Sequence, residues 1–242
     1  MYFRQNNKFS SFKNAKENHF TKHIPYLREI SIIPEIATIF KDFFFDKFFK
    51  IKTIWKMIYG EPVNKLIMHE NFHEENHEMS VCPFCDISLI ISNTSSEWDH
   101  FLPQSIFPLL SMNPYNLFSI CGPCNIDKGN RIISPIFSPA TFQVGKYVTF
   151  KMQKFGIDVQ NPKNIKEVQS FIDLLKLKDK YQEKKAVKHL LKELDINIEI
   201  FQRIRAEKSE IEKYLTIGYR HKSMSLAVES ILKTYPIYQN AL

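Results

Sequence analysis

The chain has 242 residues, 44% of them hydrophobic and 21 of them phenylalanine, enough for a sizeable and strongly aromatic core. Lys and Arg number 33 against 26 Asp and Glu, and the formal net charge of +7 favours polyanionic partners, nucleic acid or acidic lipid, without choosing between them. No uncharged apolar run approaches the roughly 20 residues that cross a bilayer, and the first residues lack a secretory apolar core, so the expectation is a cytoplasmic protein with no membrane partner.

Residues 1–79 read as a basic, aromatic, helical region. The first 24 residues are polar and basic, which predicts loose order. Phe40, Phe44, Phe48, Ile51, Trp55 and Ile58 then recur at steps of three and four, predicting a helix from Ile36 to Tyr59 that Gly60-Glu61-Pro62 ends. The interspersed Lys41, Lys47, Lys50, Lys52 and Lys56 suit a solvated face, with a nucleic-acid or membrane-surface helix as the other reading. His73-Glu74-Glu75-Asn76-His77 fits the H-E-x-x-H pattern of zinc peptidases. Its neighbours His69, Glu70, Asn71 and Glu78 are polar nearly all round, however, and no third ligand follows at a familiar spacing. Exposed polar residues leading into the next segment are the expectation.

Residues 80–135 carry all the cysteines, as Cys82-Pro83-Phe84-Cys85 and Cys121-Gly122-Pro123-Cys124. In a reducing compartment, paired C-x-x-C turns predict a structural zinc rather than disulfides. Four thiolates close a tetrahedral site and leave no position open for catalysis. Such an ion would staple a loop-rich module with little core of its own.

Between and just after the two pairs run EWDHFLPQSIFP (97–108) and NLFSICGPCNIDKGNR (116–131). Here the sequence resembles the HNH endonucleases, the zinc-bearing branch of the ββα-metal (His-Me finger) nucleases. The resemblance covers about residues 80–135. It rests on Asp99-His100 followed by Pro103-Gln104-Ser105, on Asn116, and on Cys124-Asn125 followed by Lys128-Gly129. The stretch DHFLPQS is also similar to the HNH domain of the CRISPR effector nucleases.

The resemblance implies that His100 is the general base that draws a proton from water. It implies that Asp99 and Asn125 ligate Mg²⁺ or Mn²⁺, which oxygen donors suit. Asn116 would orient the histidine's strand through loop backbone. Lys128 and Arg131, on or just beyond the closing helix, are expected phosphate contacts. Asn125 stands where many relatives have histidine, and both variants bind the metal within the family. Trp98 is expected to pack beneath the strand.

Residues 136–242 read as a β-hairpin followed by helices. Thr141–Val144 and Tyr147–Met152 flank Gly145-Lys146, predicting a two-residue hairpin with glycine at the positive φ of a type II′ turn. Val187, Leu190, Leu191 and Leu194 predict one apolar helical face, and Leu226 to Leu232 a last short helix. Lys176, Lys178, Lys180, Lys184, Lys185 and Lys188 are interleaved with acids, which suits a solvated surface, with DNA contact as the alternative.

The expected fold class is α+β: a small ββα-metal module stapled by a four-cysteine zinc site and flanked by N- and C-terminal helices. The resemblance implies an endonuclease that hydrolyses DNA, in preference to RNA, leaving 5′-phosphate and 3′-hydroxyl ends. An anti-phage effector or a mobile-element enzyme is the expected setting, controlled by a regulatory ATPase or sensor on another chain. The competing reading is a zinc-dependent nucleic-acid-binding subunit that does not cut.

Overall fold

A computed structural model describes residues 65–241 apart from 77, 108, 109, 112, 113, 136, 141 and 155, together with 34–39, 47, 51–53 and 56. The helix expected over 36–59 therefore lies outside the described residues, except for α1 (Pro34–Thr38) and isolated positions, and so does the segment 1–24.

Helix α2 (Lys65–Glu75) leads into the first cysteine pair. Its sequence is polar nearly all round, yet it is not solvated all round: His69, and Asn76 just beyond its end, are buried. Phe72, between them on the same face, meets the Trp98 ring edge-on at 5.5 Å. The expectation of exposed polar residues thus fails at His69, because a polar side chain that finds a buried partner can face a neighbouring element.

The first cysteine pair sits on a tight reversal. Val81 bridges Leu89, the Cys82 N–H donates to the Ser88 carbonyl at 2.8 Å, and the Asp86 N–H donates to the Cys82 carbonyl at 2.9 Å. Strand β1 (Glu97–His100) then pairs antiparallel with β2 (Leu117–Ile120), Asp99 opposite Phe118 and His100 opposite Leu117. Cys121 follows β2 directly and caps α3 (Gly122–Lys128), whose first turn takes Pro123 where a missing N–H costs nothing. Gly129 ends the helix at φ 50°, in the left-handed region that glycine enters freely, and its N–H returns to the Asn125 carbonyl.

Aromatic packing binds this strand–strand–helix unit to the rest of the chain. Phe84, inside the first C-x-x-C, is fully buried and contacts Phe101 at 5.8 Å, Phe118 at 5.5 Å and Phe171 at 5.6 Å. Phe171 belongs to α4 (Lys166–Leu174), so the module's core is continued by the C-terminal region. Each such ring is worth about 1.5–3 kcal/mol of burial.

The C-terminal hairpin forms further along the chain than its sequence suggested. Val144–Lys146 is a short 3₁₀ turn, and the paired strands are β3 (Thr149–Gln153) and β4 (Gly156–Gln160), with Gln153 opposite Gly156. Gly145 is not in the positive-φ region, so the type II′ turn is absent there. Phe142 stacks on Tyr147 at 5.2 Å across the 3₁₀ turn.

Helix α5 (Leu177–Gln182) packs on β4, and its Tyr181 lies against Phe150 of β3 at 4.7 Å. The Tyr181 hydroxyl reaches back to donate to the Cys85 carbonyl at 3.0 Å. The long α6 (Lys184–Ile204) buries Leu190, Leu194, Asn197 and Phe201. Leu191, expected on that face, is 41% exposed, since it lies a hundred degrees round the helix from Leu190. Helix α7 (Lys208–His221) is followed by α8 (Ser225–Leu232) and by α9 (Pro236–Gln239), so the 226–232 helix is not the last.

Asp86 fastens α8 to the cysteine turn. Its carboxylate accepts from the Leu226 N–H at 2.8 Å and the Ser225 hydroxyl at 3.1 Å, while its carbonyl accepts from the Met224 N–H. A buried carboxylate at a helix N-terminus satisfies donors that the helix cannot. No described helix is long and apolar enough to cross a membrane.

Candidate active site and metal centre

The sulfur atoms of Cys82, Cys85, Cys121 and Cys124 all lie within 4.8 Å of one another, and all four residues are buried. None is in a disulfide. The Cys85 and Cys121 sulfurs are 3.8 Å apart; a tetrahedral ion with metal–sulfur bonds of ~2.3 Å spaces its ligands by about the same distance. Backbone N–H groups point at the cluster, from Cys121 to the Cys82 sulfur at 3.3 Å and from Ile87 to the Cys85 sulfur at 3.4 Å. Burial pushes the Cys82 thiol well up, so four thiolates gather in this space only around a cation. The set can hold a metal ion.

A second group of polar residues lies on β1 and α3. Successive residues of a strand leave it on opposite faces. Asp99 turns toward α3, where its Oδ1 meets the Lys128 Nζ at 3.0 Å. Its other carboxylate oxygen, Oδ2, is buried with no hydrogen-bond partner among the described residues. Burial, only partly offset by Lys128, raises the Asp99 pKa to about 6. At neutral pH the group is largely ionised, with Oδ2 still lacking a hydrogen-bond donor among the described residues.

His100 turns the other way, and its Nε2 donates to the Ser111 carbonyl at 2.9 Å. That bond puts the ring proton on Nε2 and the lone pair on Nδ1. Burial, with the Lys128 ammonium adding to it, lowers the His100 pKa to about 4, so the imidazole is neutral across the physiological range. The residue is 8% exposed.

Asn116 is completely buried and holds the loop that follows β1. Its Oδ1 accepts from the Leu102 N–H at 2.8 Å, and its Nδ2 donates to the carbonyls of Leu102 at 3.0 Å and Leu110 at 3.3 Å. Leu110 neighbours the Ser111 carbonyl that fixes His100, so Asn116 and His100 tie to the same loop. Asn116→Ala would leave three buried backbone groups short of a partner. We expect a loss of about 2–4 kcal/mol, read from the urea midpoint at unchanged slope.

Asn125, on α3, donates from Nδ2 to a Glu97 carboxylate oxygen at 2.5 Å, which leaves Oδ1 as its ligand atom. Glu97 was not anticipated from the sequence. It lies two residues before Asp99, hence on the same strand face, and the period-two alternation of β1 is the signal that could have found it. Glu97 also crowds Gly122: a Cβ there would sit 3.1 Å from the Glu97 Oε1. The first turn of α3 therefore lies close against the Glu97 carboxylate.

The expected surface role of Lys128 is corrected. The residue is 1% exposed, and its ammonium donates to the His100 carbonyl at 2.8 Å and the Gly129 carbonyl at 3.1 Å besides pairing with Asp99. An ammonium so enclosed does not meet a phosphate; it neutralises Asp99 and holds the end of β1 to α3. Lys128→Met should therefore cost about 3–5 kcal/mol in chemical denaturation, the usual result of stranding a buried partner. A surface contact would cost almost nothing.

Arg131 is exposed, with its guanidinium donating to the Leu174 carbonyl at 2.5 Å and to that of Asp127. Lys176 and Lys180 are not simply solvated: both pair with Asp127, tying α5 to α3. Of the H-E-x-x-H stretch, His77 lies outside the described residues, and His73 bonds the Met79 carbonyl. Comparison with protein-family models, with curated proteins and with solved structures finds no match to this chain.

Proposed function

We propose that the chain is a zinc-stapled HNH endonuclease that hydrolyses DNA phosphodiesters with a divalent cation and His100 as general base. The observation that carries this reading is the presence, on adjacent residues at the end of one strand, of a histidine held in a single tautomer and a buried carboxylate oxygen with no hydrogen-bond partner among the described residues. Stability does not call for the second feature: an orphaned buried acceptor costs about 1–3 kcal/mol, and such costs cluster at functional sites.

Asp99 and Asn125 supply the oxygen donors that suit Mg²⁺ or Mn²⁺, with Glu97 close enough to orient Asn125 or add charge. The bound cation would offset charge on the scissile phosphate and on the leaving 3′ oxygen. His100 would take a proton from water at Nδ1 as the water attacks phosphorus, its ring held in line by the Ser111 carbonyl. Asp99 and His100 leave β1 on opposite faces, and the reading requires that a phosphate laid across the end of the strand, at His100, meet both. Lys128 and Asn116 position these groups, and Arg131, at the rim, is the residue left to contact DNA. A zinc on the four cysteines would fix the turn preceding α3 and with it Asn125.

The test is incubation of the purified protein with supercoiled plasmid and Mg²⁺ or Mn²⁺, beside an EDTA control. Nicked or linear product that EDTA abolishes supports the reading. A second reading, a nucleic-acid-binding subunit that does not cut, is favoured by one feature: Lys128 already supplies Asp99 with a counter-charge. That reading predicts retarded but intact plasmid at every metal concentration. The anti-phage or mobile-element setting, and control by an ATPase or sensor on another chain, belong to the same proposal; cleavage assayed with proteins encoded beside it tests them.

A further inference from the structure

Where α2 meets the start of β1, three polar atoms converge on a point that holds one proton. The Nε2 atoms of His69 and His73 are 3.0 Å apart, and the His69 Nε2 is 2.7 Å from the Ser96 hydroxyl oxygen. The proton count follows from the outer bonds. His73 directs Nδ1 at the Met79 carbonyl, which can only accept, so the His73 proton is on Nδ1 and its Nε2 carries a lone pair. Ser96 donates its hydroxyl proton to the Ser92 carbonyl at 3.1 Å, so it presents a lone pair as well. Among the described residues, the proton available between the three atoms is the one on His69 Nε2, and it faces two acceptors.

We infer that His69 and His73 form a second metal site, for zinc or a similar borderline transition ion, with Ser96 or water completing the ligand shell. The two histidines stand four residues apart on one helix, a spacing that brings imidazoles together. Ligands on a tetrahedral zinc with Zn–N bonds of ~2.0–2.1 Å lie about 3.3 Å apart, close to the separation found. An ion in place of the shared proton uses both imidazole lone pairs, with the His69 proton moving to Nδ1. The Met79 carbonyl plays the part usual behind a metal-bound histidine, fixing tautomer and ring direction. Burial lowers the pKa of both residues, that of His69 to about 4, so they are neutral and ready to bind at physiological pH. Glu78 lies near enough to act on His73 electrostatically and brings negative charge to a dication.

Because Ser96 directly precedes β1, an ion there would fasten α2 to the strand that carries Asp99 and His100. The site is independent of the nuclease reading and of the cysteine cluster. Its test is equilibrium dialysis of the full chain against Zn²⁺, then against Co²⁺, for wild type, His73→Gln and His69→Asn. Expected are one equivalent more in the wild type than in either variant, and unchanged Co²⁺–thiolate absorption from the cysteines in all three. Equal stoichiometry in the three proteins overturns the site. Should the variants fold poorly, a mild chelator applied to wild type decides. Release of one equivalent without loss of helical circular dichroism supports the site, and the absence of any separately released equivalent overturns it.

Discussion

His100→Ala should reduce plasmid cleavage by about 10²–10⁴-fold, the usual contribution of a positioned general base. The change removes the hydrogen bond to the Ser111 carbonyl and a ring that is 8% exposed, so some stability will be lost as well. Two controls separate the effects. Zinc content and the circular-dichroism spectrum of the variant should match the wild type at the assay temperature, and DNA retention in a gel should be little changed. The neutral state of the ring adds a second readout. With its pKa lowered to about 4, His100 is in the base form throughout the neutral range, and the wild-type advantage should hold steady there. If variant and wild type convert plasmid at the same rate, His100 is not the base and the catalytic assignment fails. Cleavage that persists in EDTA would remove the cation instead.

What the sequence made legible was set by local spacing. Two C-x-x-C pairs read as one ligand set from their spacing, whereas the placing of Asp99-His100 on a strand and of Asn125 on a helix was implied by the resemblance to the HNH nucleases. Tertiary choices were harder to read. Lys128 resembled a surface cation because nothing nearby in sequence announces that Asp99 will be buried opposite it, though its place one turn after Asn125 puts both on the same face of α3. Leu191 was assigned to the wrong side of α6 because a run of apolar residues leaves the centre of the stripe ambiguous; Asn197, a buried amide, is part of the true face. The hairpin was placed too early because glycine signals a turn without saying which kind, and here it serves a 3₁₀ turn. His69 went unread as a buried residue, since a polar helix gives no periodic cue to the face it hides.

Replacing Cys121 by Ser should unfold the strand–strand–helix unit and release its metal, the largest stability effect we expect in the chain. A four-thiolate zinc site contributes roughly 10–16 kcal/mol of apparent binding energy at neutral pH, comparable with or larger than the ~5–15 kcal/mol that separates most folded domains from their unfolded chains. Cys121 is the most consequential of the four, because it joins β2 to α3 and its own N–H bonds the Cys82 sulfur. The damage should also spread. Phe84 lies between two of the ligands and packs on Phe171, while Asp86 and the Cys85 carbonyl hold α8 and α5, so release of the first turn withdraws partners from the C-terminal helices. Unfolding followed by far-ultraviolet circular dichroism should therefore lose more helix than the short α3 contains. Elemental analysis should find one zinc fewer per chain than in wild type, and a strong chelator should bring wild type to the state of the variant. A wild-type protein that purifies without metal and melts as steeply as before would show that the thiols are merely buried. In that case the shared aromatic core around Phe84, rather than an ion, would have to hold α3 in place.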